Sequence, residues 1–178
     1  MCEYLRVFPG PRKYDTNNVS ILQPVLEWSQ GGYLNTWTIA SWAGPYNKNG
    51  NYLTGGRSTV QAGDVIEGAI SWNSQSSTWT IITSDGTHVA SSSLSTDIVP
   101  QDSGLSVYGG VYEANRISSE DTMIHNSEFY DMTYTLNGNP VSITLQKWIA
   151  SGMPAAISNH VSVNIVTNPS DVQLNTQN

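Results

Sequence analysis

Charge is what this sequence has least of. Only 12% of its 178 residues are Asp, Glu, Lys or Arg, about half the usual share of a soluble domain. The seven basic residues (Arg6, Arg12, Lys13, Lys48, Arg57, Arg116, Lys147) are scattered against 14 acidic ones, for a net charge of -7. No basic face can be assembled from them, so nucleic acid is excluded as a partner. Cysteine is nearly absent: Cys2 stands alone, so no intrachain disulfide forms and zinc or thiol chemistry lacks ligands. No run approaches the roughly 18 apolar residues of a spanning helix, so no membrane insertion is expected. The opening MCEYLRVFPGPRK lacks the charged-then-apolar order of a secretory signal, which predicts a cytoplasmic protein or one released without a conventional signal peptide.

What is present is neutral polarity and rings. The chain holds 23 Ser, 16 Thr, 16 Asn and 8 Gln beside 6 Trp and 9 Tyr. Disordered chains are normally charge-rich and aromatic-poor, so this one folds, and its length suits one domain. Helical periodicity is missing, while strand patterns recur at 20–28, 36–42, 65–72, 105–114 and 160–167. Residues 77–94 read as a hairpin turning at Ser84-Asp85-Gly86, and 128–136 read as a strand that turns at Asn137-Gly138-Asn139-Pro140 into 141–149. Pro24 inside the first run implies an edge or a bulge. About ten short strands with Gly, Asn and Pro turns predict an all-β jelly-roll sandwich of two antiparallel sheets. The domain should span 1–178, with its core at about 19–167, an N-terminal arm at 1–18 and a C-terminal tail at 168–178.

His88, His125 and His160 show no metal spacing, and neither a GxSxG elbow nor a phosphate-binding glycine loop occurs. No cofactor is expected. Calcium would have to use Asp64, Asp85, Asp97, Asp102 or Asp121, none of which forms a recognisable ligand loop. Glu27, Glu67, Glu113, Glu128 and Asp131 are candidate acid–base groups, but spacing alone does not pair them. A more specific combination is rings with amides. Trp42 leads into a loop holding Tyr46, Asn47, Asn49 and Tyr52, a composition that suits the apolar faces and hydroxyls of sugars.

The succession ILQPVLEW (21–28), VQAGDVIEGAISW (60–72), STWTIITSDGTHVASSSLS (77–95), YGGVYEANRISSEDTM (108–123) and HNSEFYDMTYTLNG (125–138) resembles the eqolisin family of glutamic peptidases. The resemblance implies a concanavalin-like sandwich and a Gln–Glu catalytic pair on neighbouring strands. Gln23 in ILQ matches the family's Gln. In YGGVYEANR the match places Gly110 at the catalytic Glu and Glu113 at a second acidic position, which implies loss of the acid; a shifted register would make Glu113 catalytic instead.

Small fungal lectins of the same sandwich are similar in their scarcity of cysteine and wealth of Ser, Thr and Asn. The first expectation is therefore a noncatalytic, mannose-type carbohydrate-binding lectin using Tyr46, Asn47, Asn49, Tyr52, Trp42, Gln23 and Glu113. It would bind glycans or glycoproteins and assemble as a homodimer or homotetramer to gain avidity. The alternative is a glutamic-type acid peptidase using Gln23 and Glu113.

Overall fold

A computed structural model of the chain describes residues 4–15, 18–29, 31–33, 35–44, 52–97, 106–115, 126–136, 138–141, 161–165 and 172–176. Every regular element among them is a β-strand, and every pairing is antiparallel. The chain divides into two compact units, Met1–Arg116 and Ile117–Asn178.

In the first unit, β1 (Tyr4–Asp15), β2 (Asn18–Trp28), β3 (Trp37–Gly44), β4 (Leu53–Thr54) and β9 (Ser106–Asn115) form one sheet in the order β4-β3-β2-β1-β9, with β5 (Ser58–Thr59) also pairing β3. A second sheet runs β6 (Glu67–Asn73), β7 (Thr78–Ser84), β8 (Ser91–Thr96). Strand alternation sends Leu22 and Ala43 from the first sheet onto Ile81 of the second, where Ile70, Trp79 and Leu94 pack around them. The layer between the sheets is also polar. Ser41 donates its N–H to Ser92 Oγ at 2.8 Å and its hydroxyl to Ser92 O at 2.9 Å, while Thr83 Oγ1 donates to Ala40 O at 3.0 Å. The hydroxyls of Ser41, Thr83 and Ser92 are tolerated there because each finds a partner.

The second unit contains β10 (Asn126–Phe129), β13 (Val161–Ile165) and β14 (Val172–Thr176) in the order β10-β14-β13, and a hairpin of β11 (Tyr134–Leu136) with β12 (Asn139–Val141). Gly138, at φ +77°, lies in the turn closed by the Leu136–Asn139 pair.

Several expectations change. The predicted arm at 1–18 holds β1, which lies inside the first sheet between β2 and β9; its two prolines and glycine mask the strand pattern. The predicted tail at 168–178 holds β14, the middle strand of its sheet. Pro24 sits in an interior strand, not on an edge. The β1–β2 register is the same either side of an unpaired stretch, which sets Pro24 opposite Pro9. Neither residue has an N–H, so the ladder is interrupted there instead of the strand being displaced to the edge.

The turn at Ser84-Asp85-Gly86 is a six-residue loop, Asp85–Ala90. The carboxylate of Asp85 accepts N–H bonds from Thr87 and Ala90, both at 3.1 Å, and Gly86 and His88 take positive φ. The strand expected over 128–136 is broken at Asp131, at φ +53°. Most of the strand expected at 141–149 lies outside the described residues.

Candidate active site

The alternation of side chains along β2 places Ile21, Gln23, Val25 and Glu27 on one face, with Leu22, Pro24 and Leu26 turned to the second sheet; residues 21–25 and Glu27 are buried on both faces. Their partners on β3 are Trp42 opposite Gln23, Ala40 opposite Val25 and Thr38 opposite Glu27. The result is a row of an amide, an indole, a small apolar patch, a hydroxyl and a carboxylate on the sheet face away from the sandwich interior. Trp42 packs with Val25 and Ala40, which spaces the amide end of the row from the carboxylate end.

Glu27 is fully buried, an expensive place for a carboxylate unless it is paired. Its Oε2 accepts a 2.8 Å bond from Arg57 Nε. Arg57 comes from the segment between β4 and β5, which is fastened along β3 by Gly55 N–H to Ser41 O at 2.8 Å and Val60 N–H to Trp37 O at 3.1 Å. The guanidinium lies 5.6 Å from the centroid of the Trp42 ring and against Gly31, in the β2–β3 turn. A Cβ on Gly31 would sit 2.7 to 2.9 Å from Arg57 Nη1, Cζ and Nε, and Gly31 also takes φ +59°, so glycine is required on both counts. Tyr52 meets Trp42 edge-on at 5.9 Å.

Of the residues expected at a site, the structure brings together Gln23, Trp42 and Tyr52: the first two are buried, the third is 44% exposed. Glu113 stands apart from Gln23. It pairs with Arg6 on β1, and Arg6 pairs with Glu27, so the register row reads Glu113–Arg6–Glu27. Gln23 lies four residues along β2 from that row, about 13 Å at the usual strand rise. β2 and β9 are also separated by β1, so the pair is not on neighbouring strands.

Gly109 and Gly110 fall where the β1–β9 register shifts, between the Phe8–Val111 and Gly10–Tyr108 pairs. This is a bulge, and it puts the position matched to the family's catalytic acid near the level of Gln23. Tyr46, Asn47 and Asn49 lie outside the described residues. Among the candidate calcium residues, Asp64 accepts the Gln61 N–H at 2.7 Å, Asp85 organises its own loop, and Asp102 and Asp121 lie outside the described residues. No group of three potential metal ligands occurs among the described residues.

Among the sequence candidates Glu27 is one of five unpaired acids, and Arg57 is not among them. Glu27 had an available signal, its even spacing from Gln23 along a strand. Arg57 had none, because it reaches Glu27 across thirty residues of sequence.

No family model matches the chain, and no curated protein matches it. Among solved structures it is similar to aspergilloglutamic peptidase from Aspergillus niger, with 12% identity, a TM-score of 0.63, and coverage of 97% of this chain and 98% of that one. The similarity establishes the fold: an all-β sandwich of the kind seen in that protein. It also corrects the expectation that the chain is noncatalytic. A peptidase is built on this same fold over nearly the whole length of both chains, so a concanavalin-like sandwich gives no ground for excluding catalysis.

Proposed function

We propose that this protein is an acid peptidase of the glutamic type, hydrolysing peptide bonds on the sheet face that carries Gln23, Trp42 and Glu27. The observation that carries the reading is the buried amide of Gln23 on an interior strand, on the same face as the carboxylate of Glu27; the shared fold with a glutamic peptidase supports it. In this reading a carboxylate takes a proton from water as the water attacks the peptide carbonyl carbon. The Gln23 amide donates to the developing oxyanion, and the protonated carboxyl then passes its proton to the departing amine.

Glu27 is enclosed and held by Arg57, so the working carboxyl falls to Glu113, at the far end of the same row.

The test is cleavage of denatured protein at acid pH. Glu113→Gln should lower the rate by about two to four orders of magnitude, the usual contribution of a general acid–base group. Gln23→Ala should lower it by about two to three, the usual effect of removing one oxyanion donor. Absence of cleavage by the unaltered protein at every pH rules the reading out. Full loss in Glu27→Gln with none in Glu113→Gln would move the acid role to β2.

A second reading, glycan binding, is favoured by one observation: Tyr52 offers an exposed ring backed edge-on by Trp42. Glycan-array binding that Tyr52→Ala removes would support it, and a blank array would end it.

A further inference from the structure

Arg57 is held as an anion-recognising arginine is held. Its Nε is committed to a carboxylate with no solvent exposure, Glu27, at 2.8 Å. Gly31 lies in contact with the guanidinium, and the Trp42 ring is 5.6 Å from its Cζ. The backbone on either side is fixed to β3 through β4 and β5. The orientation of the fork is therefore set before any ligand arrives. Its side chain keeps 18% of its surface exposed, and among the described residues neither terminal nitrogen makes a hydrogen bond. Those nitrogens carry four N–H donors. An anchored guanidinium whose terminal donors are not hydrogen-bonded matches a carboxylate in shape and charge, and little ordering entropy remains to be lost on binding. It also stands on a chain of net charge -7, where a fixed cation is a local exception.

We propose that the terminal nitrogens of Arg57 bind a carboxylate of the peptide ligand, with Glu27 and Gly31 as the residues that position the arginine; that the ligand is a peptide rests on the proposed peptidase reading. The carboxylate comes from the peptide's C-terminus or from an acidic side chain, and the chemistry recognised is the same. Arg57 is then a specificity-determining residue at the edge of the face that carries Gln23.

The experiment is calorimetric binding at about pH 6, where carboxylates are ionised and acid cleavage is not under way. Three probes are compared: acetyl-Phe-Ala-Ala with a free C-terminus, its C-terminal amide, and acetyl-Phe-Glu-Ala amide. The unaltered protein should bind one or both carboxylate-bearing peptides about tenfold or more tightly than the neutral amide, as expected for charge-assisted bonds. Tighter binding of only the first assigns the C-terminus, and of only the third an acidic side chain. Arg57→Met should erase the difference, and Arg57→Lys should retain a smaller part of it, since an ammonium lacks the fork.

Equal binding of the three probes by the unaltered protein overturns the proposal, and this comparison stands even if Arg57→Met fails to fold. A preference that persists in Arg57→Met also overturns it. No cleavage is needed in any arm, so a protein that prefers carboxylates but never hydrolyses would end the peptidase reading and leave the anion site standing.

Discussion

Arg57 and Glu27 form a pair in which neither partner can be removed alone without cost. Truncating Arg57 to Met leaves a fully buried carboxylate without its guanidinium, an arrangement that usually costs about 3–5 kcal/mol. Replacing both partners, Glu27→Leu with Arg57→Met, removes the charges together, and apolar substitutes for buried pairs are often neutral or better. Urea unfolding should therefore show a large loss in the single variant and recovery of most of it in the double. Additive losses would mean that Arg57 stabilises through its contacts with Trp42 and Gly31 and not through the pair. Gly31 makes the same niche testable from the other side. Gly31→Ala meets both the positive φ and the Arg57 side chain, and should cost about 1–2 kcal/mol or more. Gly32, with φ +92° but nothing within 4 Å of a Cβ, separates the two causes: Gly32→Ala should lose only the backbone part.

At the scale of elements, the two ends of the chain carry more of the fold than their sequence suggests. β14 lies between β10 and β13 and supplies the pairing for both. Deleting residues 171–178 should therefore remove the whole three-stranded sheet, not trim an edge, and amide hydrogen exchange of peptides covering 126–129 and 161–165 would report it as lost protection. Retained protection there would show that those strands find other partners. The strands that could be read directly, β2, β3, β6, β7, β9 and β13, are those whose apolar residues alternate or run continuously between turn residues. β1 was hidden because YLRVFPGPRKYD breaks its pattern with Pro9, Gly10 and Pro11, and β14 because VQLNT is short and polar. Both are stabilised by pairing with strands distant in sequence, which local periodicity does not record. The site divides the same way. Gln23 and Trp42 were legible because each belongs to a patterned strand, whereas the Arg57–Glu27 pair and the Glu113–Arg6–Glu27 row exist only once the sheet register is set.

For the whole molecule, the proposed activity in acid requires a chain that stays folded there, and the low charge content favours this. With all 14 carboxyls neutral, the chain carries at most seven Lys and Arg and three His as positive side chains, so self-repulsion in acid stays modest for 178 residues. Acid sensitivity should instead be local, at Asp85. Desolvation pushes its carboxyl upward, but hydrogen bonds from Ala90, Thr87 and Val89 outweigh that and hold it below its ordinary value of 3.8. A depressed folded-state value means that the ionised form stabilises the native loop at pH above about 3.8, and that this contribution is lost as pH falls through the lower folded value. Asp85→Asn keeps the side chain's size and an acceptor oxygen but cannot ionise. Melting temperatures of the two proteins should therefore differ most from mild acid to neutrality, with the native chain higher, and should converge as the pH falls below the ordinary carboxylate range. A gap that stays constant with pH would show that the charge on Asp85 does not hold the Asp85–Ala90 loop. A native chain that unfolds cooperatively in the same range where its melting temperature falls to that of Asp85→Asn would make this loop the acid limit of the fold, and with it the limit of the proposed activity.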